Sequence, residues 1–167
     1  MLSLFLFAIL REMSGAQLLD QISIPGPVLE SVESDSQFQQ YEALLNLCFQ
    51  LPEGRHFFED CPVWDRDSGV YKVTIGAFLG ERLVSAASIR VADLATPRGA
   101  LTVAILGGVC THPDYKGKGI ATHAVKKAIE WAINRKAVAI FLWGSEVSFY
   151  GRLGFSICGR QSRIQLD

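Results

Sequence analysis

The chain has 167 residues, 49% of them hydrophobic and 20% charged, with a net charge of −1. That length suits one domain able to bury roughly 70% of its unfolded surface without staples, and the composition excludes disorder as the main state. The balance of 16 Lys+Arg against 17 Asp+Glu excludes a strongly basic nucleic-acid binder. Cys48, Cys61, Cys110 and Cys158 lie far apart with no C-x-x-C pair. They point to free thiols in a reducing cytoplasm rather than to a zinc knuckle or a disulfide framework.

Met1–Leu10 is apolar apart from Ser3 and is stopped by Arg11 and Glu12. A spanning helix needs about 20 apolar residues, and the charge and cleavage pattern of a signal peptide is missing. The reading is a packing helix or an extension. Pro25-Gly26-Pro27 breaks the chain, so residues 1–27 are taken as an N-terminal apolar extension and 28–167 as the working domain.

Val28–Val32 reads as a short strand, and Ser34, Asp35 and Ser36 offer N-caps for a helix. Phe38, Tyr41, Leu44, Leu45 and Cys48 give that helix one buried face. Leu51–Arg66 is irregular and rich in aromatics and acids, among them His56, Phe57, Phe58, Glu59, Asp60 and Trp64. Val70–Phe78 and Leu83–Val91 form a hairpin about Gly80-Glu81-Arg82. Leu101–Cys110 is an apolar strand whose paired Gly107-Gly108 predict a bulge or the close approach of another group.

A loop, Thr111–Gly119, then leads into a helix reaching to about Lys136. Its apolar stripe is Ala121, Ala124, Val125, Ala128, Ile129 and Ala132. Ala137–Trp143 reads as a fully buried parallel strand. Glu146–Arg152 makes a short helix, and Ser156–Leu166 a last strand. The order β, α, loop, β-hairpin, β, α, β, short α, β predicts an α/β (α+β) fold. Its mixed, mostly antiparallel sheet carries helices on both faces.

The strand-loop-helix around residue 117 carries the chemistry. A helix N-terminus offers unpaired N–H groups and partial positive charge. Gly117 and Gly119 clear side chains from their path, and Lys116 and Lys118 add charge. Residues 112–136 hold six basic and two acidic side chains. This suits a small polyanion. A Walker loop is excluded because Gly119 stands where the hydroxyl for Mg²⁺ belongs. A Rossmann fingerprint is excluded because Thr122 stands at the third glycine.

Lys116-Gly-Lys-Gly119-Ile-Ala121 resembles the R/Q-x-x-G-x-G/A loop of the GCN5-related N-acetyltransferases. Val109-Cys-Thr-His-Pro113-Asp-Tyr115 resembles that family's lead-in. Phe149-Tyr150-Gly-Arg-Leu-Gly154-Phe155 resembles its downstream aromatic motif. Lys116 departs from the usual Arg or Gln, and Ala121 from the commoner Gly. Gly144-Ser145-Glu146 stands where an Asn is frequent, with Ser145 able to substitute for it.

The resemblance implies an acyl-CoA N-acyltransferase fold with a splayed central strand pair, acetyl-CoA as donor, and no metal. It places the pantetheine arm along Val109, Cys110 and Thr111, and the pyrophosphate on Lys116, Gly117, Lys118, Gly119, Ile120, Ala121 and Thr122. A backbone N–H near Val109 would stabilise the developing oxyanion, a contribution of roughly 3 kcal/mol. The Tyr150 hydroxyl would protonate the leaving thiolate, and Glu146, four residues earlier, would deprotonate the attacking amine. Glu59, Asp60 and Glu81 could line an acceptor pocket, and His112 is a loop histidine beside Pro113. Loops such as Leu51–Arg66 are expected to shape that pocket, their acids and aromatics suiting a cationic amine.

The acceptor expected is a small-molecule primary amine in preference to a protein N-terminus or lysine. No nucleic acid or membrane partner is expected, and a homodimer is compatible with the sequence. A non-catalytic acyl-CoA-binding or sensor domain is the alternative, and a nucleic-acid module using the 116–136 face a third.

Overall fold

A long hairpin anchors the structure, and everything else is placed by it. The computed structural model describes residues 4–9, 26–51, 54–69 and 71–160. The strands are β1 (Leu4–Ile9), β2 (Val28–Ser31), β3 (Lys72–Leu79), β4 (Arg82–Thr96), β5 (Gly99–Thr111), β6 (Ala139–Gly144) and β7 (Ser156–Arg160). They form one sheet in the order β2-β3-β4-β5-β6-β1-β7. Every pairing is antiparallel except β5 with β6, which is parallel, as the crossover through a helix requires.

The helices are α1 (Asp35–Phe49), α2 (Phe57–Asp60), α3 (Ile120–Asn134) and α4 (Val147–Gly151). Of the three candidate caps, Ser34 starts α1. Its Oγ accepts the Gln37 N–H at 3.2 Å, and Gln37 Oε1 accepts the Ser34 N–H at 3.1 Å. Such a reciprocal box stabilises a helix start by about 1 kcal/mol.

The two faces of the sheet carry different cores. Ala87, Ile89, Ala104 and Leu106 pack with Ala124, Val125, Ala128, Ile129 and Ala132 of α3. The alanines let α3 lie close to the sheet. On the other face, Ala86 and Cys110 pack with Tyr41, Leu44 and Leu45 of α1 and with Phe57, Phe58 and Trp64. Tyr41 is fully buried, and its hydroxyl meets Ser88 Oγ at 2.7 Å, which in turn meets Thr74 Oγ1 at 2.6 Å. This closed chain of hydroxyls satisfies three polar groups inside the core.

Two expectations are corrected. Within the apolar first ten residues, Leu4–Ile9 is a strand, not part of a packing helix. β1 lies between β6 and β7, with Leu4 opposite Gly144 and Ile9 opposite Ala139. A short apolar run has no periodicity to separate helix from strand, and the free edge of β6 decides the matter. Leu4–Ile9, taken as part of an extension ahead of the domain, therefore belongs to the same sheet as the strands of that domain. Second, β6 is not buried throughout: Trp143 is 50% exposed. The helix α1 lies over β4 and β5 rather than over β6. The expected continuation of the last strand to Leu166 lies outside the described residues. No helix among the described residues is long and apolar enough to cross a membrane.

Candidate active site

The parallel pairing of β5 with β6 is short. Ala104 faces Ile140 and Ile105 faces Phe141, and beyond these pairs the two strands have no ladder between them. Among the described residues, the C-terminal half of β5, through Val109, Cys110 and Thr111, thus presents a backbone edge without a strand partner on the β6 side. Its opposite edge is used, since β5 stays paired with β4 as far as Thr111 opposite Ser85. The His112 N–H then bonds the Val84 carbonyl at 2.9 Å. Unpaired main-chain groups at a strand edge are a template for an extended ligand that can bond to them.

The paired glycines sit where the strands part. The β4–β5 register slips between Ala86 and Ser88, so Ala87 faces both Gly108 and Val109. The bulge switches sides: Ile105 and Cys110 both join the α1-side core despite their odd and even numbers. Gly108 has φ +56, and a Cβ there would overlap the Tyr41 hydroxyl. At Gly107 a Cβ would overlap the Trp64 ring. Both halves of the sequence expectation, a bulge and a close approach, are met.

From Thr111 the chain makes a 3₁₀ turn, Pro113–Tyr115, capped by His112, whose Nδ1 accepts the Asp114 N–H at 3.4 Å. Gly117 and Gly119 have φ +77 and +75, and a Cβ at either would meet nothing within 4 Å. These glycines are needed for their left-handed backbone, and the space above them is open. Gly119 is the N-cap of α3, so the N–H groups of Ile120 and Ala121 open the helix without carbonyl partners in it, and the Thr122 N–H turns back to the Gly119 carbonyl at 3.0 Å. Lys116 and Lys118 are exposed beside them. The Lys118 ammonium stands 5.0 Å from the centre of the Tyr115 ring. The loop has the open space, donors and charge that a pyrophosphate needs.

Across the gap, Gly144 ends β6, and Ser145 and Glu146 are exposed at the start of α4. Tyr150 is buried, and its ring lies against Gly144. Burial, with the Glu146 carboxylate and the Cys110 thiol adding to it, pushes the Tyr150 phenol up to about 12. It is a neutral O–H at physiological pH, able to donate a proton. The Tyr150 N–H bonds the Glu146 carbonyl at 3.1 Å, which fixes the two residues relative to one another.

The region 51–66 departs from the reading that its aromatics shape an amine pocket. Phe57, Phe58 and Trp64 are core residues beneath α1. Asp60 is paired with Arg55, and the Glu59 carboxylate accepts the His56 N–H at 3.3 Å. Glu81 is exposed at the β3–β4 turn, and the next residue, Arg82, reaches His112 Nε2 at 3.1 Å.

Sequence reasoning missed two groups beside β5. Ser85 Oγ donates to the Cys110 carbonyl at 2.8 Å and meets Thr111 Oγ1 at 2.7 Å, pinning the strand end. The Cys48 thiol of α1 donates to the Thr111 carbonyl at 3.2 Å. The sequence shows Cys48 only as one position of a helix face and one of four dispersed thiols.

The acetyltransferase (GNAT) domain family matches residues 32–158. No match is found among curated proteins. Among solved structures, an acetyltransferase of Trypanosoma brucei is 25% identical with a TM-score of 0.66, covering 83% of this chain and 99% of its own. A glucosamine-6-phosphate N-acetyltransferase of Arabidopsis thaliana is 14% identical with a TM-score of 0.66, covering 84% of this chain and 98% of its own. An aminoglycoside 6′-N-acetyltransferase of Acinetobacter haemolyticus is 14% identical with a TM-score of 0.58, covering 84% and 97%. The last two speak for the fold alone. With a parted parallel strand pair, a glycine-rich helix start beside it and a family match over most of its length, the chain belongs to the GNAT acetyltransferase family, whose members transfer an acyl group from acetyl-CoA.

Proposed function

We propose that this protein transfers an acetyl group from acetyl-CoA to the primary amine of a small molecule by direct attack on the thioester. The observation that carries the reading is the loss of pairing between β5 and β6 beyond Ile105 and Phe141. It leaves an edge at Val109–Thr111 that ends on the loop 116–122.

Acetyl-CoA supplies the electrophile, a thioester carbonyl. In this reading Val109, Cys110 and Thr111 hold the pantetheine arm by main-chain bonds. Lys116, Gly117, Lys118, Gly119, Ile120, Ala121 and Thr122 receive the pyrophosphate. Ser145, exposed at the end of β6, offers a hydroxyl from the other side. The bulge at Gly108–Val109 frees a backbone N–H for the oxygen on which negative charge develops, and a donor of this kind contributes roughly 3 kcal/mol. Tyr150, neutral and buried, donates to the departing sulfur. Glu146 accepts the amine proton through its exposed carboxylate or a water. Free thiols at all four cysteines fit a cytoplasmic setting.

Isothermal titration with acetyl-CoA, with CoA and ATP as comparators, tests the donor site. Micromolar binding of acetyl-CoA with much weaker ATP binding is expected. A folded protein that binds neither acetyl-CoA nor CoA overturns the reading. A panel of small amines, with Tyr150→Phe as control, then tests turnover. Tight binding with no product across the panel would favour the non-catalytic sensor instead.

A further inference from the structure

We propose that Cys48 and Cys110 form a reversible disulfide when the protein meets a peroxide, and that this bond weakens binding of the acyl donor at the adjacent strand end. Cys48 lies in the last turns of α1, partly buried, and Cys110 lies on β5 beneath it, 4% exposed. The two thiols lie near enough for each to shift the other's ionisation. Cys48 in turn reaches the carbonyl of Thr111, the residue next to Cys110, at 3.2 Å. They stand 62 positions apart in the sequence and are brought together by the fold, and both belong to the α1-side core.

The environments divide the labour. The neighbouring Cys110 thiol, the Thr111 contact and the charge of Lys116 bring the Cys48 thiol down to about 7 against the opposing effect of burial. Cys110 is pushed the other way by its burial and by the pair. Cys48 is therefore the nucleophile. Its thiolate attacks one peroxide oxygen. The O–O bond breaks, sulfur is oxidised to a sulfenic acid, and the second oxygen leaves as hydroxide and is protonated to water. The Cys110 sulfur then attacks the Cys48 sulfur. The S–O bond breaks, the S–S bond forms, and the departing hydroxide takes the Cys110 proton as a second water. Two thiols and one peroxide become one disulfide and two waters.

The bond draws the sulfurs to about 2 Å apart. Cys110 is packed on all sides, so the closure is taken up by the end of β5 or by the last turn of α1. Either way the Cys48 thiol no longer donates to the Thr111 carbonyl, so the main-chain edge at Val109–Thr111 loses that support. That consequence rests on the acetyl-CoA reading above, whereas the disulfide does not.

The test uses the full chain with Cys61→Ser and Cys158→Ser, so that only the proposed pair remains. After treatment with hydrogen peroxide, non-reducing peptide mapping should show one cross-linked peptide joining Cys48 and Cys110, reversed by dithiothreitol. Cys110→Ser should instead accumulate a dimedone-reactive sulfenic acid at Cys48. Cys48→Ser, which changes the less buried partner, should leave Cys110 unoxidised. Absence of the cross-link from folded, oxidised protein overturns the proposal, as does a Cys110 that oxidises unaided. Titration with acetyl-CoA should then show an affinity at least fivefold lower for the oxidised form. Equal affinities overturn the regulatory half. No binding by the reduced form counts against the donor reading and leaves the disulfide standing.

Discussion

A Cβ at Gly144 would stand 3.2 Å from a ring carbon of Tyr150 and 3.2 Å from Leu142 Cδ1. The glycine that ends β6 is thus the seat on which the aromatic ring of α4 rests, and its missing side chain sets the position of the phenol. Gly144→Ala should push the Tyr150 ring outward at a stability cost of about 1 kcal/mol, since the neighbours are side chains able to give a little. Turnover should fall more than tenfold, because a small misplacement of a catalytic group is expensive in rate. Urea unfolding and steady-state kinetics on the same preparation separate the two effects.

Tyr150→Phe removes the proposed donor and keeps the packing. We expect kcat to fall by about 10- to 100-fold with the KM for acetyl-CoA within about twofold, the pattern of a group used in the transition state. A fall in affinity with unchanged kcat would make Tyr150 a packing residue.

The same phenol should leave a mark on alkaline stability. Its folded pKa, about 12, lies above the ordinary phenol value of 10.0, so the folded state keeps a proton that the unfolded chain gives up. The contribution of this group is complete below pH 10 and is lost as pH rises toward 12, with a slope approaching about 1.4 kcal/mol per pH unit. Tyr41, raised further by its complete burial, acts in the same direction. Urea unfolding at pH 9 and pH 11 should show a smaller loss for Tyr150→Phe than for the parent protein.

Gly108→Ala places a side chain at φ +56 and into the Tyr41 hydroxyl. We expect a loss of about 2–4 kcal/mol. Tyr41→Phe alone should cost about 1–2 kcal/mol, because Ser88 retains Thr74 as partner. The double variant should be less unstable than the sum, since removing the hydroxyl makes room for the methyl group. Full additivity would mean that backbone strain alone is responsible.

Lys116→Ala and Lys118→Ala test the polyanion cradle. Each should weaken acetyl-CoA binding by about three- to tenfold without changing the melting temperature, as both side chains are exposed. The combined variant should also show a shallower dependence of affinity on salt. Unchanged affinity in the double variant would remove the lysines from the site.

Chain order and most element types were legible in the sequence because they depend on near neighbours. Ser34 with Gln37 starts α1, alternation marks β3, and the turn at Gly80-Glu81-Arg82 marks the return into β4. The alanine stripe marks α3, and Gly117 and Gly119 punctuate the loop ahead of it. The paired Gly107 and Gly108 announced a bulge through the φ freedom that only glycine has. The motif spacing around Lys116 and Tyr150 likewise pointed to the two sides of one site.

What only the tertiary structure decided were matters of which distant surfaces meet. Leu4–Ile9 carries no periodicity and takes its strand conformation from the open edge of β6. Phe57, Phe58 and Trp64 have the composition of a pocket, yet the space between α1 and the sheet claims them for the core. Gly144 could be read as the end of a strand, but its role depends on a ring six residues further along the chain that folds back onto it. Cys48 and Cys110 are unremarkable in their own segments. Their contact exists because α1 packs across β5, a long-range apposition that local propensity and pattern do not encode.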